Sequence, residues 1–167
     1  MNNAVVLHSM IRRNQKFIEK SASGLAHNMS LLQLPGKSNC MNWVLGHIAV
    51  YRDAMLACNS QAPLLTEEQR RPYSYGSQPI TANSTCVELS VLIDRLNESY
   101  QIVSDWLLAD PDNMLETPPK YIDLHPDYGP SIIENLGFLC WHECNHVGEL
   151  HALGELAEVQ SSKLPVG

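Results

Sequence analysis

The chain is poor in charge, in aromatic residues and in glycine. Charged side chains make up 17% of its 167 residues, aromatics 7%, and there are nine glycines. Basic clusters are missing: Lys and Arg number 11 against 18 Asp and Glu, a formal charge of −7, and basic runs stop at pairs such as Arg12-Arg13 and Arg70-Arg71. Phosphate backbones are held by grouped Lys and Arg, so no nucleic acid is expected as a partner. No stretch approaches the ~18 consecutive apolar residues of a membrane span, so no membrane partner is expected either. The start, MNNAVVLHSMIRRNQ, has no basic segment leading into an apolar one and does not read as a signal peptide. Cys40, Cys58, Cys86, Cys140 and Cys144 are odd in number and scattered, with no C-x-x-C pair. That excludes a disulfide framework and a cysteine zinc site, and points to free thiols in a reducing, cytoplasmic setting. No period-2 run of β-branched residues and no internal repeat appear.

What is present is apolar residues at helical spacing. At 44% hydrophobic the chain is too apolar for disorder, and its length suits one domain over 1–167. Ala4, Leu7, Ile11, Ile18, Ala22, Leu25, Met29 and Leu32 predict a first helix, interrupted in its apolar row by Asn14, weakened at Gly24 and stopped by Pro35-Gly36. A second helix, capped by Ser38 or Asn39, carries Val44, Ile48, Tyr51 and Met55. The third opens with the capping-box pattern Thr85-x-x-Glu88 and shows Leu89, Leu92, Leu96, Tyr100, Val103 and Leu107. The fourth opens with Ser131-x-x-Glu134 and runs to about Val159. Eight of the ten prolines fall in two stretches, about Asn59–Ser84 and Asp110–Pro130, read as long loops that could cover a site, the first with a helical turn at Thr66–Gln69. The expectation is an all-α four-helix bundle.

The chemistry gathers in the fourth helix, at Trp141-His142-Glu143-Cys144-Asn145-His146-Val147-Gly148-Glu149. At ~100° per residue His142 and His146 lie about 40° apart, with Glu149 about 20° to the other side of His142. One turn of separation lets two imidazoles reach one divalent ion. His47, between Val44 and Tyr51 on the second helix, is a third core-facing imidazole, and three histidines with open positions suit a catalytic-type metal site. Glu143, about 100° from His142, either reaches the site or faces solvent. Trp43 and Tyr51, each one turn from His47, either line the pocket or pack the core. Asn14 is a weak candidate for a pocket contact; His8 and His27 read as surface residues, and His125 falls in the second loop. Cys140 and Cys144 lie about 160° from His142 and share with Ile133, Gly137, Val147 and Gly148 a second apolar, small-residue face, read as a dimer seam.

His142-Glu143-x-x-His146 also matches the HExxH signature of zinc peptidases, whose glutamate is a general base. His151 comes one position too early for the extended form of that motif, and the β-sheet of those enzymes has no support in the sequence.

The segment Trp43-Val44-Leu45-Gly46-His47-Ile48 resembles the W-x-x-G-H-I segment of DinB/YfiT-like proteins, and His142-Glu143-x-x-His146-x-Gly148-Glu149-Leu150 resembles their H-E-x-x-H-x-G-Q-L near the carboxyl end. The resemblance extends over nearly the whole chain, including the loop Tyr73-Ser74-Tyr75-Gly76-Ser77. It implies an up-down-down-up bundle, often a homodimer, and zinc or nickel held by His47, His142 and His146. It also implies a small-molecule substrate and an activity of metal-dependent hydrolase or small-thiol S-transferase type, with a low-molecular-weight thiol as co-substrate in the second case. The family's glutamine is Glu149 here, so position 149 has three readings: ligand, base or solvated residue. Glu143 and Glu149 are the candidate proton carriers, and Trp43 and Tyr51 the candidate walls for a bound cofactor. The rival reading is a non-catalytic bundle that binds a metal or small molecule.

Overall fold

The computed structural model describes residues 3–34, 38–109 and 129–161. Among these residues there are six α-helices and no strand. Four are long: α1 (Asn3–Ala22), α3 (Met41–Cys58), α5 (Leu89–Ala109) and α6 (Ile132–Ser161). Two are single turns, α2 (His27–Ser30) and α4 (Glu67–Arg70), the latter running into a 3-10 turn at Arg71–Tyr73. The long helices pack against one another, α1 and α3 each lying on both α5 and α6.

Local chemistry accounts for the helix ends, with three departures from expectation. The first helix stops at Ala22 and does not run to Pro35-Gly36, two residues that fall outside the described part. Gly24 adopts φ +69, a left-handed conformation that glycine takes at little cost and that ends a helix. Cys40, in an extended conformation and without a side-chain cap bond, precedes α3 where Ser38 or Asn39 was expected as cap; Ser38 Oγ bonds back to the Leu34 carbonyl instead. Helix α5 begins at Leu89, past the Thr85-x-x-Glu88 pattern. The N–H of Leu89 donates to His27 Nδ1 (3.1 Å) and that of Val87 to the Tyr73 hydroxyl (2.7 Å), so tertiary partners satisfy donors a capping box would have taken. The box at Ser131 forms as read, and the helical turn expected at Thr66–Gln69 forms with a capping box of its own. Thr66 and Gln69 close the latter around α4, and Glu134 reaches back to the Ser131 N–H (3.0 Å) at the start of α6. The second proline-rich loop lies almost wholly outside the described residues, as does His125.

The apolar core is in two pieces. One gathers Ile18, Val44, Leu45, Ile48, Leu92, Leu96, Leu150 and Leu153; the other Leu7, Ile11, Met55, Leu56, Val103, Leu107, Leu136 and Leu139. Between them the long helices place buried polar side chains: Gln15 on α1, Arg52 on α3, Ser99 on α5 and Glu143 on α6. Helix α5 contributes its Leu96 carbonyl and Asn97 to the same layer. On the second face of α6 Cys140 is fully buried, Ile133, Gly137 and Val147 are half-buried, and Cys144 and Gly148 are exposed, with Cys144 Sγ 3.4 Å from the Asn14 amide of α1.

Candidate metal centre

His47 arrives from α3, and His142 and His146 from successive turns of α6. Their Nε2 atoms converge: His47 to His142 is 3.3 Å and His142 to His146 is 3.2 Å. The ligand atoms of all three lie within 4.8 Å of one another, the one such three-residue group among the described residues. Imidazoles on a tetrahedral zinc with bonds of about 2.05 Å sit about 3.3 Å apart, nitrogen to nitrogen. The two measured separations match that value, so the donor set fits a divalent ion.

Partners on the far side of two rings fix which nitrogen points inward. His47 Nδ1 lies 2.6 Å from the Tyr73 carbonyl, and a carbonyl oxygen only accepts, so Nδ1 carries the proton and Nε2 presents its lone pair. His146 Nδ1 lies 2.9 Å from Glu149 Oε2 and donates to it by the same logic. His142 Nδ1 is buried with no hydrogen-bond partner among the described residues. Its ring is held by stacking: Tyr51 lies 3.9 Å away at 19° and Phe138 6.2 Å away at 21°. Trp43 stacks on His47 at 4.5 Å and 16°, while its indole N–H donates to Ser77 Oγ (2.9 Å).

The electrostatics favour neutral imidazoles. Burial pushes His142 down to about 4, helped by His146 and His47 beside it. Burial also lowers His47, against the opposing effect of its bond to the Tyr73 carbonyl. A neutral ring keeps the lone pair a metal needs. Glu149 is held below the usual carboxylate range, chiefly by the hydrogen bond from His146.

Of the residues singled out in the sequence, the structure brings together His47, His142, His146, Trp43, Tyr51 and Glu149. Glu149 sits behind His146, as its hydrogen-bond acceptor. Glu143 is the exception. Its carboxylate is buried and takes two 2.9 Å bonds from Arg52, from Nε and Nη2, so neither oxygen is free to handle a proton at the histidines. The same contact removes the zinc-peptidase reading, which needs that glutamate as the base. Asn14 meets Cys144. His8 and His27, expected at the surface, tie helices together: His8 Nε2 lies 3.0 Å from Ser104 Oγ, and His27 receives the Leu89 N–H.

Two site residues escaped the sequence reading in their actual role. The Tyr73 ring is fully buried over Gly46, where a Cβ would come within 2.2 Å of it. The Tyr73 hydroxyl donates to Asn42 Oδ1 (3.0 Å), which pins the carbonyl that orients His47. Only the adjacency of Gly46 to His47 hinted at such a close approach. Arg52 is the other, an arginine in the middle of an apolar helix.

The comparisons speak to the fold. No family model matches the chain, and no curated protein is significantly similar to it. The structure is similar to a crystal structure of a conserved protein from Enterococcus faecalis, with a TM-score of 0.65 over 94% of this chain and 98% of that one, at 14% identity.

Proposed function

We propose that the chain is a DinB/YfiT-like metal-dependent enzyme of hydrolase or small-thiol S-transferase type, with zinc or nickel held by His47, His142 and His146. The observation that carries this reading is the convergence of three Nε2 atoms, two of them aimed by hydrogen bonds behind the ring. A histidine cluster with no role as ligand has no need of such backing. The up-down-down-up order is supported by the helix pairings: His8–Ser104 and Gln15–Asn97 run antiparallel between α1 and α5. Asn14–Cys144 and Ser21–Gly154 run in the same direction between α1 and α6, as does α3 with α5, Asn42 meeting Val87 just ahead of α5 and Arg52 meeting Leu96 within it.

A divalent ion in this site would act as a Lewis acid, making a nucleophile of water or of a small thiol at neutral pH. The chain's own residues do the rest. Tyr73 and Glu149 hold His47 and His146 in the metal-binding tautomer. Glu149, with 55% of its side chain exposed, is the carboxylate able to pass a proton from the site to solvent. Tyr51, half-buried against His142, is the open aromatic wall for the organic part of a substrate or thiol, whereas Trp43 is buried behind His47. A homodimer and a reducing compartment belong to the same reading. Trp141 and Phe17, 57% and 51% exposed, offer apolar surface to a second copy, and the five cysteines are free.

Metal analysis of the purified protein tests the reading directly. About one zinc or nickel per chain is expected, and H47A should lose it. Stoichiometric metal retained in H47A, or none in the wild type, would overturn the three-histidine site. With the metal loaded, turnover that depends on an added small thiol assigns the transferase; turnover in water alone assigns the hydrolase.

A further inference from the structure

The metal reading leaves the buried Arg52–Glu143 pair unexplained. Both side chains are almost fully buried, at 1% and 2% exposure, and two parallel 2.9 Å bonds join the guanidinium to the carboxylate. Arg52 Nη1 also donates to Gln15 Oε1 (2.6 Å) and to the Leu96 carbonyl (2.7 Å), and Gln15 Nε2 donates to Asn97 Oδ1 (2.7 Å). One arginine thus ties α3 to α1, α5 and α6 in a polar layer between the two halves of the core. Burying an ion pair is a poor way to add stability, since desolvation offsets most of the attraction and apolar replacements of similar volume often do as well. What a two-bond fork does supply is geometry, because both bonds survive only at one axial position and one rotation.

That geometry is set beside the histidines. Glu143 directly follows His142 and precedes His146 by three residues, and Arg52 follows His47 by five, next to Tyr51, which stacks on His142. A slip of α6 by one residue shifts it about 1.5 Å and turns it about 100°. The apolar faces of α6 already exclude a slip that large but leave small shifts and rotations open; a fork with both bonds at 2.9 Å excludes those as well. We infer that Arg52 and Glu143 are positioning residues, whose paired bonds set the register of α6 against α3 and so bring His142 and His146 onto His47. The inference concerns where the imidazoles stand, and rests on the metal reading only for its consequence in metal affinity.

The test replaces both partners at once, because a single truncation leaves a buried charge unpaired and endangers folding. In R52M/E143L the expected result is a folded protein with a melting temperature near or above that of the wild type. Its metal-free crystal structure should show the His47–His142 Nε2 separation widened well beyond 3.3 Å. Zinc affinity should fall ~10–100-fold, the range seen when groups that orient ligands are removed, and the cobalt-substituted form should lose its tetrahedral visible spectrum. R52K, which keeps the charge but cannot hold both carboxylate oxygens in a fork, should show the same displacement to a lesser degree, and it decides the matter if the double variant does not fold. Histidines that superpose on the wild type in a folded variant would falsify the inference, as would unchanged zinc affinity. Displaced histidines in a protein whose wild type binds no zinc would sustain the positioning role while removing the metal function.

Discussion

Gly46 shows how much of the site depends on one missing methyl group. A Cβ there would stand 2.2 Å from the Tyr73 ring, and the backbone carbonyl of the same tyrosine orients His47, the next residue along α3. Gly46→Ala must push Tyr73 off α3, with a packing cost of about 1–3 kcal/mol. Helix propensity favours alanine over glycine by about 1 kcal/mol, so the net destabilisation is expected at the lower end of that range or below. The larger effect falls on the metal. With the Tyr73 carbonyl displaced, the His47 tautomer is no longer fixed, and zinc affinity should fall by ~10-fold or more. Equilibrium denaturation and a zinc competition titration on the same variant separate the two effects. Wild-type zinc affinity in Gly46→Ala would show that the Tyr73 carbonyl does not orient the ligand.

At the scale of the element, what could be read in the sequence was whatever one helix determines alone. The one-turn spacing of His142 and His146, the apolar faces of α1, α3 and α5, and the capping box at Ser131 are all local, and all appear in the structure. The start of α5 and the roles of His27, Arg52, Glu143 and Tyr73 are set by partners far along the chain, and no spacing rule reports those. Glu143 illustrates the difference: its angle on α6 allowed it to reach the site, and Arg52, 91 residues away, took it elsewhere. The local box at Ser131 can be tested locally. Ser131 Oγ accepts from the Glu134 N–H (3.4 Å) and donates to the Glu134 carboxylate (2.6 Å) in the first turn of α6. Ser131→Ala should cost about 1 kcal/mol of stability, the usual value for a lost N-cap. His142 lies eleven residues on, about 16 Å along the helix, so zinc affinity should stay at its wild-type value. A Ser131→Ala protein with weakened zinc binding would mean that fraying at the start of α6 reaches the histidines.

For the molecule as a whole, the buried His47 and the half-buried His142 make stability depend on pH even without metal. In the unfolded chain His142 takes up a proton near its ordinary value of 6.5; in the folded protein it does so only at about 4. Between those values the unfolded state binds more protons, so acid favours unfolding and stability rises with pH across that window. His47, lowered by burial, acts in the same direction. Glu149, held low by His146, adds a loss at the acid end of the range, as pH falls from the ordinary carboxylate value near 4.5 towards its own lowered one. Asp53 opposes them: burial raises it above 3.8 despite bonds from the Leu64 and Leu65 N–H groups, so around and above that pH it favours the folded state in its protonated form. Its window opens upward from 3.8, whereas those of the histidines open downward from 6.5. The melting temperature of the metal-free protein, measured in chelator, should therefore drop from pH 7 to pH 5. His142→Leu, which removes the most strongly shifted ring, should flatten that drop while also abolishing metal binding. Zinc adds a second, steeper dependence, because each ligand must give up its proton to bind, so the melting temperature of the zinc-loaded protein should fall faster over the same interval. Equal slopes with and without zinc would mean that protons and metal do not compete for the same three nitrogens.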